Sequence, residues 1–152
     1  MAESDRGAAL VGLAYLDALL GRLFEAKMLK GTSANRLLNY PGAFSTASAR
    51  TDAAYSLGWI SVETYRDLVT LRKIRNRFAH AHNALTFSDV DVQTQCASLR
   101  LPKEALPDWN FKPRDQFFLA TLVLILRLEF VRRNSKAPTT VEDPPVIKGD
   151  KT

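Results

Sequence analysis

Cysteine and histidine are scarce in this chain. A single cysteine, Cys96, excludes an internal disulfide and fits a reducing compartment. The two histidines, His80 and His82, stand two positions apart. Side chains at i and i+2 diverge on a helix, so with one cysteine they make no metal set. Neither a metal nor a cofactor is expected. No glycine-rich phosphate loop and no nucleophile elbow is present, which removes the common nucleotide-binding and serine-hydrolase signatures. A membrane span needs about 20 apolar residues. The most apolar run, Phe117 to Leu126, is shorter and is closed by Arg127 and Glu129. The opening Met-Ala-Glu-Ser-Asp lacks the basic-then-apolar pattern of an export signal, so a cytoplasmic protein without membrane contact is expected. There is no internal repeat.

What is present is ordinary for a soluble globular protein: 152 residues, 46% of them hydrophobic and 24% charged. That length suits one domain with one core. The net charge of +5 permits an anionic partner without demanding one.

Apolar periodicity and capping residues predict an all-α, single-domain antiparallel bundle of five to six helices over residues 1–133, with a disordered tail over 134–152. A first helix is expected from Asp5 to Leu29, capped by Ser4 and closed by Gly31. Its core stripe is Leu13, Leu16, Leu20, Leu23 and Phe24. Asp17 falls inside that stripe, and a buried carboxylate needs a partner. It either orients Arg75 or His80, or forms a plain core ion pair or lies exposed. A short helix over Ala34 to Leu38 leads into the turn Asn39-Tyr40-Pro41-Gly42. Ser45 or Thr46 caps a third helix that Gly58 ends. Ser61 caps the central helix, which runs to about Ala81, and Ser88 caps a shorter one to Leu99. Leu101 to Pro113 holds three prolines and no expected regular element. Within it Trp109 either stacks on a base or pins the loop to the core. The final helix, Arg114 to Arg133, is apolar nearly all round, which predicts burial in the core plus a dimer interface.

The chemistry concentrates in Leu71 to His82. This stretch holds Arg72, Lys73, Arg75 and Arg77, one amide, Asn76, and both histidines. At about 100° per residue, Arg72, Asn76 and His80 succeed one another a turn apart on one face. Arg75 lies roughly 140° from His80. One helix therefore does not aim both at a small target, whereas two copies crossing in a dimer would bring both pairs to a shared cleft. The bland reading is a solvated basic face that complements the helix dipole.

Arg75-Asn76-Arg77-Phe78-Ala79-His80 resembles the Arg-Asn-x-x-x-His motif of the HEPN superfamily of all-α proteins, and His82 also satisfies the looser spacing. Ser4 to Gly12 with Tyr15-Leu16-Asp17 looks like the first helix of the mannitol operon repressor (MltR)-like branch of that superfamily. Ser48 to Ile60 is similar to its second block, and Leu71-Arg72-Lys73-Ile74 leads into the motif as it does there. The resemblance covers residues 4–100.

The superfamily motif implies a metal-independent endoribonuclease working on single-stranded RNA through the ribose 2′-hydroxyl in a dimeric cleft. Arg75, Asn76 and His80 would be catalytic, His82 and Asp17 accessory, and Arg72, Lys73 and Arg77 phosphate-binding. The MltR-like branch implies instead a non-catalytic transcriptional regulator or interaction module, with DNA or a protein as partner. In that reading Asn76 and His80 tie helices together and Arg75 pairs with Asp17 or Asp52. Regulation as a toxin by an antitoxin would extend the first reading. Arg77 departs from the branch, where an acidic residue is usual, and adds positive charge beside the motif.

Overall fold

A computed structural model describes residues 2–143. They form seven helices and no strands: α1 (Ala2–Lys27), α2 (Thr32–Leu38), α3 (Ala47–Ser56), α4 (Val62–His80), α5 (Val90–Ala97), α6 (Leu101–Ala105) and α7 (Pro113–Arg133). Three long helices carry the bundle. Arg114 Nε sits 3.1 Å from the Asp5 carboxylate, and Gly12 lies against Phe117 and Thr121, so α1 and α7 run parallel. Arg6 reaches the carbonyl of Ala79 at 3.2 Å, while Phe24 packs edge-on against Trp59, so α4 runs antiparallel to α1. The other short helices pack around these three.

Each α1 residue expected in the core is at least partly buried: Leu16, Leu20, Leu23 and Phe24 fully, Leu13 in part. From α4 come Leu68, Leu71, Ile74 and Phe78, and from α7 Phe117, Ala120, Leu124 and Leu128. Phe78, Phe87 and Phe117 form a chain of rings with centroids 5.0 and 5.2 Å apart, joining the end of α4 to the start of α7. Such contacts add about 0.5–1.5 kcal/mol each beyond area burial.

Capping explains most boundaries. Thr46 Oγ1 accepts from Ala49 N at 3.2 Å, and Ser61 Oγ accepts from Thr64 N at 3.2 Å. Gly58, at φ +71°, closes α3 in the left-handed region, with Gly58 N and Trp59 N donating back to Tyr55 and Ala54. Gly42 is needed for a different reason: a Cβ there would collide with the carbonyls of Arg36, Leu37 and Asn39 in the tight turn after α2.

Several boundaries differ from expectation, among them the end of α1, which falls at Lys27. α1 begins at Ala2, so Ser4 lies within the helix and not at its start. Asp89, not Ser88, precedes α5, and its carboxylate turns back to accept from Thr86 N and Oγ1 at 2.7 and 2.9 Å. The Leu101–Pro113 stretch is not wholly irregular: α6 occupies its first five residues. After α7, Ser135, Ala137 and Pro138 line a hollow with Glu25 and Met28 near the end of α1, and the tail beyond 143 lies outside the described residues. The Asp5–Lys27 stretch is also long and apolar enough to cross a membrane by length and composition, though here it packs on α4 and α7.

The cause of α6 is Asp67, in the buried half of α4 and only 1% exposed. Its carboxylate accepts from Arg100 N at 3.0 and 3.1 Å and from Leu101 N at 2.8 Å. A side chain from a distant helix thus satisfies amides that a five-residue helix leaves bare at its start. A second such anchor is Arg50 on α3. It donates to Asp17 Oδ1 at 2.9 Å, to Phe44 O at 2.8 Å and to Leu38 O at 3.3 Å. Gly21 on α1 leaves space for that guanidinium.

Two outcomes follow for stability. Asp67→Ala strands two amides and should destabilise by about 2–4 kcal/mol in urea denaturation, as two unpaired buried donors imply. Burial pushes the Asp67 carboxyl above its ordinary value, outweighing the Arg100 and Leu101 amide bonds that pull it down. A carboxyl raised in the folded state holds its proton more tightly folded than unfolded, so its contribution is full below the unfolded pKa and fades as pH rises through the folded one. The stability of wild type relative to Asp67→Asn should therefore fall as pH climbs from about 3.9, the ordinary Asp value. A difference that stays flat or rises would contradict this.

Candidate functional site

The second half of α4 divides cleanly. Leu71, Ile74 and Phe78 face the core, and Lys73, Arg75, Asn76, Arg77 and His80 face solvent. The split follows from spacing: the apolar residues recur at three and four, and the polar ones occupy the remaining arc. Ser61 and Glu63 secure the start of the helix, while Arg77 and His80 sit in its last turn, where cations suit the dipole.

The Arg75 guanidinium does not point away from the arc. Its Nη1 donates to Asn76 Oδ1 at 3.1 Å, which brings the head group round the helix to the residue one turn before His80. The angular gap that suggested two crossing copies is thus partly closed by side-chain reach within one helix. Asn76 makes its bond to Arg75 and none to another helix among the described residues, and His80 is exposed at the helix end. These residues therefore do not tie helices together.

The accessory residues separate. Asp17 pairs with Arg50, whose side chain is 14% exposed, and so belongs to the α1–α3 anchor and not to the motif. Asp52 accepts from the Tyr65 hydroxyl at 3.1 Å, a bond that raises the Tyr65 pKa. Neither carboxylate reaches Arg75. His82 stands beyond the helix, and with His80, Asn83, Leu85 and Asp89 it lines a hollow of about 440 Å³. Its neighbour, a hollow of about 450 Å³, is lined by Arg6, Phe78, His82 and Asn83.

The expected phosphate contacts are unequal. Arg77 is bound to Asp91 at 2.7 Å, so much of its charge is answered. Lys73 is exposed and forms no ion pair among the described residues. Arg72 is half-buried, with Nη1 enclosed and without a hydrogen-bond partner among the described residues. One negative group enters the site: Asp89, held below the usual carboxylate range first by the Thr86 amide and then by its hydroxyl, faces the His80 hollow. No group of three or more metal-ligating side chains occurs among the described residues.

Two contributors were not singled out in the sequence. Arg6 comes from 73 positions away to the carbonyl at the end of α4, a pairing with no local signal. Asp67 did carry one, since it breaks the apolar stripe of α4 as Asp17 breaks that of α1. Trp109 is 66% exposed, with its ring 6.2 Å from that of Phe111, so it does not pin its loop to the core. No family model, curated protein or solved structure matches the chain.

Because the motif side chains reach no other helix, Arg75→Ala and His80→Ala should each change unfolding free energy by no more than about 0.5 kcal/mol, as exposed substitutions do. Thermal and urea unfolding measure this. A loss above about 2 kcal/mol would assign them a structural role.

Proposed function

We propose that the exposed arc of α4 binds single-stranded RNA and cleaves it without a metal. One observation carries this reading: His80 and His82 line one hollow at the end of α4, with the Arg75 head group turned onto Asn76 a single turn before. A histidine titrates near neutral pH and can both take and give a proton. In the proposed step His80 takes the proton of a ribose 2′-hydroxyl, and that oxygen attacks the adjacent phosphorus. The bond from phosphorus to the 5′-oxygen breaks, and His82 returns a proton to the departing oxygen. The products are a 2′,3′-cyclic phosphate and a 5′-hydroxyl. Arg75 holds the phosphate and stabilises charge that grows in the transition state. Asn76 fixes the Arg75 head group. Lys73 and Arg72 extend positive charge along the strand, and Arg77, already bound to Asp91, contributes less.

A second reading, a non-catalytic regulator or interaction module with a DNA, antitoxin or other protein partner, draws support from the apolar side chains left exposed on α7. The resemblance in the Arg75–His80 motif favours RNA chemistry, and the absence of any carboxylate partner for Arg75 among the described residues leaves that cation available to a phosphate.

Labelled single-stranded RNA incubated with protein in EDTA should be cut to cyclic-phosphate ends. Loss of a positioned acid–base group costs about 10²–10⁴-fold, so His80→Ala should lose at least 10²-fold in rate and Arg75→Ala a comparable amount. Intact RNA with well-folded wild type, or equal cleavage by the variants, would overturn the proposal. RNA or DNA retained without cleavage would favour the regulator.

A further inference from the structure

The outward side of α7 is apolar along its length. Phe118, Leu122, Leu126 and Phe130 are 42% to 70% exposed. They recur every four residues and so form one stripe about 18 Å long. Gly12 and Thr121 face each other across the α1–α7 contact. Turning from that contact at about 100° per residue, Val11 and Tyr15 on α1 come to the same side as the α7 stripe. Both are more than half exposed. On this side the two parallel helices thus present one continuous apolar face.

The stripe is self-complementary when reversed. A two-fold axis at residue 124 pairs each position with the one equally far beyond it. Asp115 meets Arg133 of a partner copy, Phe118 meets Phe130, and Leu122 meets Leu126. Asp115 and Arg133 lie on the midline of the stripe by the same angular count. On that midline the two charges are opposite. At the α7 start, Asp115 is exposed beside Lys112 and Arg114, and Arg114 is paired with Asp5. At its end, Arg132 and Arg133 outnumber Glu129, which they hold down to about 2. Arg133 uses its Nε for Glu129, and its side chain remains 72% exposed, so its terminal nitrogens are open to a second carboxylate.

Six such side chains, each baring roughly 100 Å² as aromatic and aliphatic groups of this exposure do, approach the ~800 Å² per partner that a stable interface uses. A heterologous partner would need none of this internal symmetry. An isologous dimer requires it, because one patch must complement itself.

We infer that the chain forms a two-fold homodimer through antiparallel packing of α7 on α7, with Val11 and Tyr15 at the flank and reciprocal Asp115–Arg133 pairs at the ends. Leu126 and Phe130 share a hollow with Ser61 and Thr64 at the start of α4, whereas the basic arc lies on the second half of that helix. The inferred α7 pairing includes no residue of that arc. This pairing stands independently of RNA cleavage.

Sedimentation equilibrium on the full chain tests it. Wild type should have the mass of two chains at micromolar concentration, and Leu122→Asp should be a folded monomer by circular dichroism. Asp115→Arg and Arg133→Asp should each weaken association at least tenfold, and the double variant Asp115→Arg/Arg133→Asp should recover most of it. A wild type that stays monomeric to 100 μM at roughly 10² times the expected Kd would overturn the inference, as would monomer that adsorbs to lipid vesicles through this face. A double variant no better than its parents would also overturn it, since any other dimer has no reason to restore association by exchange of these two charges.

Discussion

The buried Asp67 carboxylate is the contact on which the arrangement around α4 depends. An unpaired carboxylate would not survive at 1% exposure. It survives because the amides of Arg100 and Leu101 are aimed at it, and those amides in turn would be bare at the head of α6. Each side offsets part of the other's desolvation penalty, although for Asp67 burial still outweighs the bonds. The bond fixes the α5–α6 junction against α4, and α6 places Glu104 beside Arg127 of α7. Arg50 does the same work on the other flank, joining α1, the end of α2 and α3 through one guanidinium. With both flanks anchored, α4 has a fixed buried stripe and a fixed exposed arc.

That division assigns the roles of the charged residues. Cations that stabilise the fold are matched: Arg50 with Asp17, Arg114 with Asp5, Arg127 with Glu104. Lys73 and Arg75, on the exposed arc, have no carboxylate partner among the described residues, so they are available to an anion from outside. The apolar excess sits elsewhere, on α7 and the adjoining side of α1. The basic arc and the apolar stripe thus occupy different helices.

Much of this was legible in the residues. The core stripe of α1 and the Thr46 and Ser61 caps follow from local spacing, and so does the glycine stop at Gly58. So does the polar arc of α4, since periodicity alone places Arg72, Asn76 and His80 together. What escaped was non-local. α6 exists because a carboxylate from another helix caps it, and no pattern within Leu101–Pro113 announces that. The bend of Arg75 onto Asn76 is a side-chain choice that angular arithmetic on Cα positions misses. The end of α1 drawn at Leu29 overshot, and its Ser4 start was misplaced, because boundaries are set by a balance of about 1 kcal/mol per cap. Ser88 lost its expected capping role to the Asp89–Thr86 bonds for the same reason. The resemblance to the motif proteins gave roles to Arg75, Asn76 and His80, and the exposure of those side chains is compatible with the roles.

The salt dependence of RNA binding by the His80→Ala protein tests most directly whether the α4 arc is a phosphate-binding surface. Each phosphate neutralised on a single strand contributes about −0.7 to the slope of log K against log salt. Lys73, Arg75 and Arg72 together predict a slope near −2, and Arg75→Ala should make it shallower by about 0.7 while leaving the melting temperature unchanged. A slope near zero, or one that Arg75→Ala and Lys73→Ala leave untouched, would show that RNA does not lie on this face.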